Sequence, residues 1–72
     1  MNNSIKFLVK EKDEGKRLDI FLSEKIDRLT RSNIKKIIES NNVTINKKTA
    51  NLPSKKIRVR DEIEIKFVIK KL

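Results

Sequence analysis

Residues 17–38 read RLDIFLSEKIDRLTRSNIKKII, and this stretch decides the fold. Leu18, Phe21, Leu22, Ile26 and Leu29 fall at the i, i+3, i+4 spacing of an amphipathic helix, which predicts a first helix over about 17–26. Thr30 suits an N-cap, because its hydroxyl can accept a hydrogen bond from an otherwise unpaired first-turn N–H. Ile34, Ile37 and Ile38 then supply the buried stripe of a second helix, which Asn41-Asn42 ends. Only a few residues join the two helices.

Outward from this pair the period changes from helical to two. Upstream, Ile5, Phe7 and Val9 alternate with polar neighbours and predict a strand, followed by the polar turn Glu11–Gly15. Gly15, the only glycine, is expected to supply a positive φ there. Downstream, Val43-Thr44-Ile45 reads as a short strand, Asn46-Lys47-Lys48 as a turn, and Asn51-Leu52-Pro53-Ser54 as a loop punctuated by the single proline. Ile57 and Val59, then Ile63, Ile65, Phe67 and Ile69, alternate with charged or polar residues as a half-exposed antiparallel sheet requires. The order is strand, two helices, strands.

Seventy-two residues make one domain, expected to span 1–72, and at this size folding hides only about 60% of the surface the unfolded chain exposes. The chain has no Cys and no His, which removes disulfides, thiolate and imidazole metal sites, and any nucleophile–His pair. No catalytic residue, metal or cofactor is therefore expected, nor a small-molecule substrate, and the chain alone is not expected to be an enzyme. The longest apolar runs, Phe67-Val68-Ile69 among them, are three residues, against roughly 20 for a membrane span. With nothing near Met1 resembling a signal peptide, a cytoplasmic protein is expected, monomeric as an isolated domain.

Charge points to a partner. Residues 1–27 carry six cations and six anions, and residues 61–72 carry three of each. Residues 28–60 carry ten cations against Glu39 alone, so the whole net charge of +9 lies in the middle segment. Such a field attracts a polyanion and releases its counterions on binding. If Ile34, Ile37 and Ile38 face the core, Arg31 and Lys35 lie one turn apart on a solvent-facing edge, with Lys36 close by. Ser32 and Asn33 sit in the first turn, where free N–H groups and the helix dipole favour a phosphate oxygen. Lys47 and Lys48, at the tip of the following turn, are expected to close the other side of a groove. Lys-rich helices are common on any protein surface. It is Arg31 and Lys35 together, inside the one strongly one-signed segment, that argue for binding. Phe7, Phe21 and Phe67 all fall at core positions, which leaves no aromatic for base stacking and predicts recognition of backbone and shape.

The run Gly15-Lys16-Arg17-Leu18-Asp19-Ile20-Phe21-Leu22, then Thr30-Arg31-Ser32 with Ile38, Val43-Thr44-Ile45-Asn46-Lys47-Lys48, Ser54 and Asp61-Glu62-Ile63, resembles the S-four RNA-binding domain, named for a small-subunit ribosomal protein. The leading strand before the Arg-Leu-Asp-x-Phe-Leu helix is most similar to the N-terminal module of the large pseudouridine synthase family, which modifies structured RNA. The resemblance implies an α+β fold, a helix-turn-helix on a small mostly antiparallel sheet, that binds structured RNA, ribosomal RNA above all. It points to Arg31, Ser32 and Lys35, with Lys36 beside them, and to the turn Asn46, Lys47 and Lys48; Arg28 and Arg17 complete the expected set, Arg17 with an ion pair as its alternative role. The family usually has glycine where this chain has Asn41, Lys47 and Arg60. Asn tolerates a left-handed conformation, whereas Lys or Arg there costs roughly 1 kcal/mol or more.

Arg17-Leu18-Asp19 superficially matches the start of the catalytic Arg-Leu-Asp motif of the same synthases. Lys16 precedes it, however, and the Thr-Ser-Gly continuation is absent, so Asp19 is read as supporting the helix N-terminus or pairing with a cation. The expected setting is the targeting module of a pseudouridine synthase; the alternative is a free-standing ribosome- or transfer-RNA-binding translation or quality-control factor. Weaker readings are a peripheral binder of anionic lipid, which lacks an apolar wedge, and a DNA-binding helix-turn-helix, which lacks residues suited to base edges.

Overall fold

The computed structural model describes residues 2–68, with the side chains of residues 2, 3, 67 and 68 left aside. The elements in chain order are strand β1 (Asn2–Leu8), a 3-10 turn (Glu11–Asp13), helices α1 (Leu18–Lys25) and α2 (Arg31–Glu39), then strands β2 (Val43–Ile45), β3 (Lys48–Thr49) and β4 (Glu62–Val68). All four strands join one antiparallel sheet in the order β1-β4-β2-β3. The helices pack on each other, and α2 also packs on β4, which gives the α+β architecture expected. The expected strand position Ile69 lies outside the described residues, as does the side chain of Phe67.

Periodicity places the core. Leu18, Phe21, Leu22 and Ile26 from the first helical segment meet Ile34 and Ile38 of α2 and Val43, Ile45, Ile63 and Ile65 of the sheet, all buried. Phe7 is half-buried at the margin, its ring edge-on to Phe21 with centroids 5.9 Å apart. Each of these apolar side chains contributes about 1.5–3 kcal/mol when fully buried, against the ordering cost of the chain.

Local chemistry sets the boundaries. Thr30 caps α2 as expected, its Oγ1 accepting from the Asn33 N–H at 3.1 Å. Helix α1 has no side-chain cap; instead the carbonyls of Lys55 and Pro53 accept from the N–H groups of Leu18 (2.8 Å) and Asp19 (3.1 Å). A distant loop thus satisfies donors that a Ser or Thr cap would otherwise take. Gly15 adopts φ 85°, and Asn41, Asn46, Lys47 and Arg60 also lie in the left-handed region at φ 66°, 53°, 68° and 73°. Asn41, Lys47 and Arg60, the positions at which the resemblance led glycine to be expected, therefore keep a glycine-like backbone without the glycine.

Two expectations are corrected. Ile57 and Val59 do not form a sheet strand: Ile57 is buried, but the segment makes only an isolated bridge, Arg17 to Lys56, before the chain reverses. The reversal is built by the Asp61 N–H donating to the Arg58 carbonyl (3.1 Å) and the Arg58 N–H donating to Asp61 Oδ2 (3.0 Å), with Arg60 left-handed between them. Conversely, Lys48, expected as part of a turn, pairs with β2 together with Thr49 as an edge strand.

Candidate nucleic-acid interface

Helix α2 carries the ridge. Ile34 and Ile38 are wholly buried and Ile37 half-buried, which leaves Arg31, Ser32, Lys35 and Lys36 exposed. Arg31 and Lys35 stand at i, i+4 and so share one edge of the helix. No acidic residue occupies the first turn of α2, so the positive end of its dipole meets no internal carboxylate. Arg28, in the link between the helices, is exposed as well.

The turn between β2 and β3 is held from the other side. Asn46 donates its backbone N–H to the Glu62 carbonyl (2.7 Å), accepts from the Glu62 N–H at Oδ1 (3.0 Å) and donates Nδ2 to Asp61 Oδ1 (3.1 Å). Both ends of its side-chain amide are engaged, so Asn46 anchors the turn and Lys47 and Lys48 project from it. With Asn46 and Lys47 both at positive φ, the connection is a two-residue turn of the kind that matches the twist of a hairpin. The ridge and the hairpin are thus each tied to β4, one by packing and the other by hydrogen bonds.

The ion pairs lie elsewhere. Lys16 Nζ is 3.0 Å from Asp13 Oδ1 and 2.7 Å from Glu24 Oε1, Lys25 Nζ is 3.9 Å from Asp13 Oδ2, and Arg17 is 3.2 Å from Asp19. Arg17 thereby takes the structural role that its alternative reading foresaw, and Asp19 also accepts from the Ile20 N–H at 2.8 Å. Asp13 is buried; the hydrogen bond from Lys16 holds its carboxyl below the ordinary 3.8, against the opposing effect of burial. Hydrogen bonds first to Glu24 and then to Asp13 raise Lys16 above its ordinary 10.5. Among the described residues, none of the ten cations of residues 28–60 enters an ion pair.

Beside the hairpin runs an open groove, and no α2 residue lines it. Its cations are Lys48, Lys55, Lys56 and Arg58. This groove differs from the one expected between ridge and turn: its lining combines the hairpin with residues 55–58, where Lys56 and Arg58 were expected as the polar alternates of a sheet strand. The available signal was that both belong to the one-signed segment. Among the described residues, no group of His, Cys, Asp or Glu could hold a metal ion and no helix is long and apolar enough to cross a membrane.

No curated protein matches the chain. The family model described as "S4 domain" matches residues 16–63, two thirds of the 72 residues and the span from the approach to α1 to the start of β4. The chain belongs to the S4 domain family, whose members are general RNA-binding domains.

Proposed function

We propose that this domain binds structured RNA, ribosomal RNA in the first instance, through Arg31, Ser32, Lys35 and Lys36 of α2, Arg28 before it, and Lys47 and Lys48 of the β2–β3 turn. The observation that carries the reading is the set of ten cations in residues 28–60 without an internal ion-pair partner among the described residues. Such cations are solvated until a phosphate backbone replaces water and counterions, and that release drives binding. Helix α2 presents a planar Arg fork and two Lys point charges beside a helix N-terminus with no carboxylate in its first turn, which suits phosphate oxygens without reading bases. Lys47 supports the same reading, since a cation stands at φ 68° where glycine costs less. Arg17 and Asn46 contribute by fixing α1 and the turn.

The domain acts, in this reading, as a cytoplasmic targeting module that raises the local concentration of a pseudouridine synthase at its RNA, the isomerisation being done by an Asp outside these residues. The chain alone is expected to turn over no uridine; isomerisation by the purified domain would refute this. Binding is tested by titrating wild type and the Arg31→Ala/Lys35→Ala variant against a blunt ribosomal RNA hairpin. Clear weakening with an unchanged circular dichroism spectrum supports the ridge, and unchanged affinity removes it.

A further inference from the structure

The groove beside the β2–β3 hairpin is lined by no residue of the helical ridge and by none of the ion-paired residues. One wall is the hairpin with Lys48; the other is the segment that carries Lys55, Lys56 and Arg58. That segment is extended: the Gly15 N–H donates to the Ile57 carbonyl (2.8 Å) and the Ile57 N–H to the Lys16 carbonyl (3.0 Å). Ile57 therefore points inward and is buried, while Lys56 and Arg58 point out on the same side, about 6.6 Å apart along the chain.

Ile45, Ala50 and Ile57 line the groove, and Leu52, 61% exposed, stands at its side as one of two large exposed apolar residues among the described residues. Two carboxylates also line it, Glu14 and Asp61; Asp61 accepts from the Arg58 N–H and the Asn46 side chain, and neither forms an ion pair with the groove's cations among the described residues. Four cations against two anions leave the lining at +2. The rim at Gly15 is clear, with no heavy atom within 4 Å of where a Cβ would sit.

We infer that this groove holds a single-stranded ribose-phosphate segment continuing from the structured RNA bound at α2. The inference rests on the RNA reading above and extends it to a second contact. Cations spaced along an extended wall suit successive phosphates, and the apolar floor with Leu52 suits riboses. The groove has no aromatic lining for base stacking, so the contact is indifferent to sequence. Lys47 and Lys48 are adjacent in the hairpin, so a strand leaving the first contact passes directly into the second.

The test uses the whole chain and an oligouridine of about 12 nucleotides, a length within the usual span of single-strand sites. Lys55→Ala/Lys56→Ala/Arg58→Ala, with the matching triple Gln variant as a second version, is expected to weaken oligouridine binding by about tenfold or more. Its slope of log K against log salt should be shallower by about 2, from three lost contacts at about 0.7 each. Blunt-hairpin affinity should fall far less. Wild-type binding by the triple variants, no oligouridine binding by wild type, equal loss on both RNAs, or equal wild-type affinity for polyglutamate of the same charge would each overturn the inference. If wild type ignores the hairpin while the oligouridine result holds, the earlier reading fails and the groove stands.

Discussion

Residues 1–27 and residues 28–60 treat charge in opposite ways. The first segment balances six cations with six anions and draws Lys16, Arg17 and Lys25 into pairs around Asp13, Asp19 and Glu24. The second holds ten cations, nine more than its acids, and pairs none of them among the described residues. The fold can bury a carboxylate such as Asp13 because neighbouring ammonium groups compensate its desolvation. It leaves the second segment's cations in water, where each is available to an external anion. Charge that the fold uses is paired; charge that the proposed function uses is left open.

The sharpest way to break this contrast is the ridge. Arg31→Ala/Lys35→Ala should weaken hairpin binding by at least about tenfold, since each charged contact is worth about 1.5 kcal/mol or more, while surface truncation changes stability by no more than about 0.5 kcal/mol. A large loss of stability with retained affinity would reverse the roles assigned to the two segments.

Lys47→Gly comes next. Relieving the left-handed Lys47, at φ 68°, should stabilise the domain by about 1 kcal/mol, seen as a raised Tm, and removing the cation should lower hairpin affinity. Opposite movements in the two measurements would mark Lys47 as a residue kept for binding at a cost to the fold. A gain in both would remove it from the interface.

Acid titration probes the paired segment. Asp13 is held below its ordinary 3.8, so it binds fewer protons folded than unfolded, and its stabilising contribution is present above that value and lost as pH falls through its folded pKa. Lys16, raised above 10.5, contributes below that value and loses its contribution as pH climbs through its own folded pKa. Tm should therefore be level near neutrality and fall below about pH 4. Asp13→Asn should lower the neutral Tm and remove its share of the acid limb; an unaltered acid limb would exclude Asp13 from it. The smallest effect is expected at Lys10, an exposed cation of the neutral segment: Lys10→Ala should change stability by less than about 0.5 kcal/mol and hairpin affinity by less than about twofold. An effect equal to that of the ridge pair would show that net charge, and not its placement, governs binding.

Most of the fold was legible because its signals are local. The Thr30 cap, the Ile34–Ile38 stripe and the alternation of Ile63 with Ile65 all sit within one element and match what the structure holds. The misread parts depend on distant partners. Ile57 has the period of a strand but pairs with the approach to α1, because the backbone turns at Arg60 and Asp61. The two-residue strand β3 has no alternation to read and exists only through β2. Asp13, a charged residue in a polar turn, gave no sign of burial, since Lys25, far along the chain, helps to cover its charge. The α2 ridge was visible from helical spacing alone. The anchoring of Asn46 by Asp61 and Glu62, and the groove around Lys55 and Lys56, needed the sheet to bring residues 46–62 together.

The most direct measurement is a salt titration of binding to a ribosomal RNA hairpin, run beside duplex DNA of equal length and anionic vesicles. If four to six phosphates are contacted, the slope of log K against log salt for the hairpin should be roughly −3 to −5, and preference for the hairpin should survive at about 0.15 M salt. Equal binding to all three ligands, vanishing together as salt rises, would contradict the account: the ten open cations would then be an unspecific field and not an RNA interface.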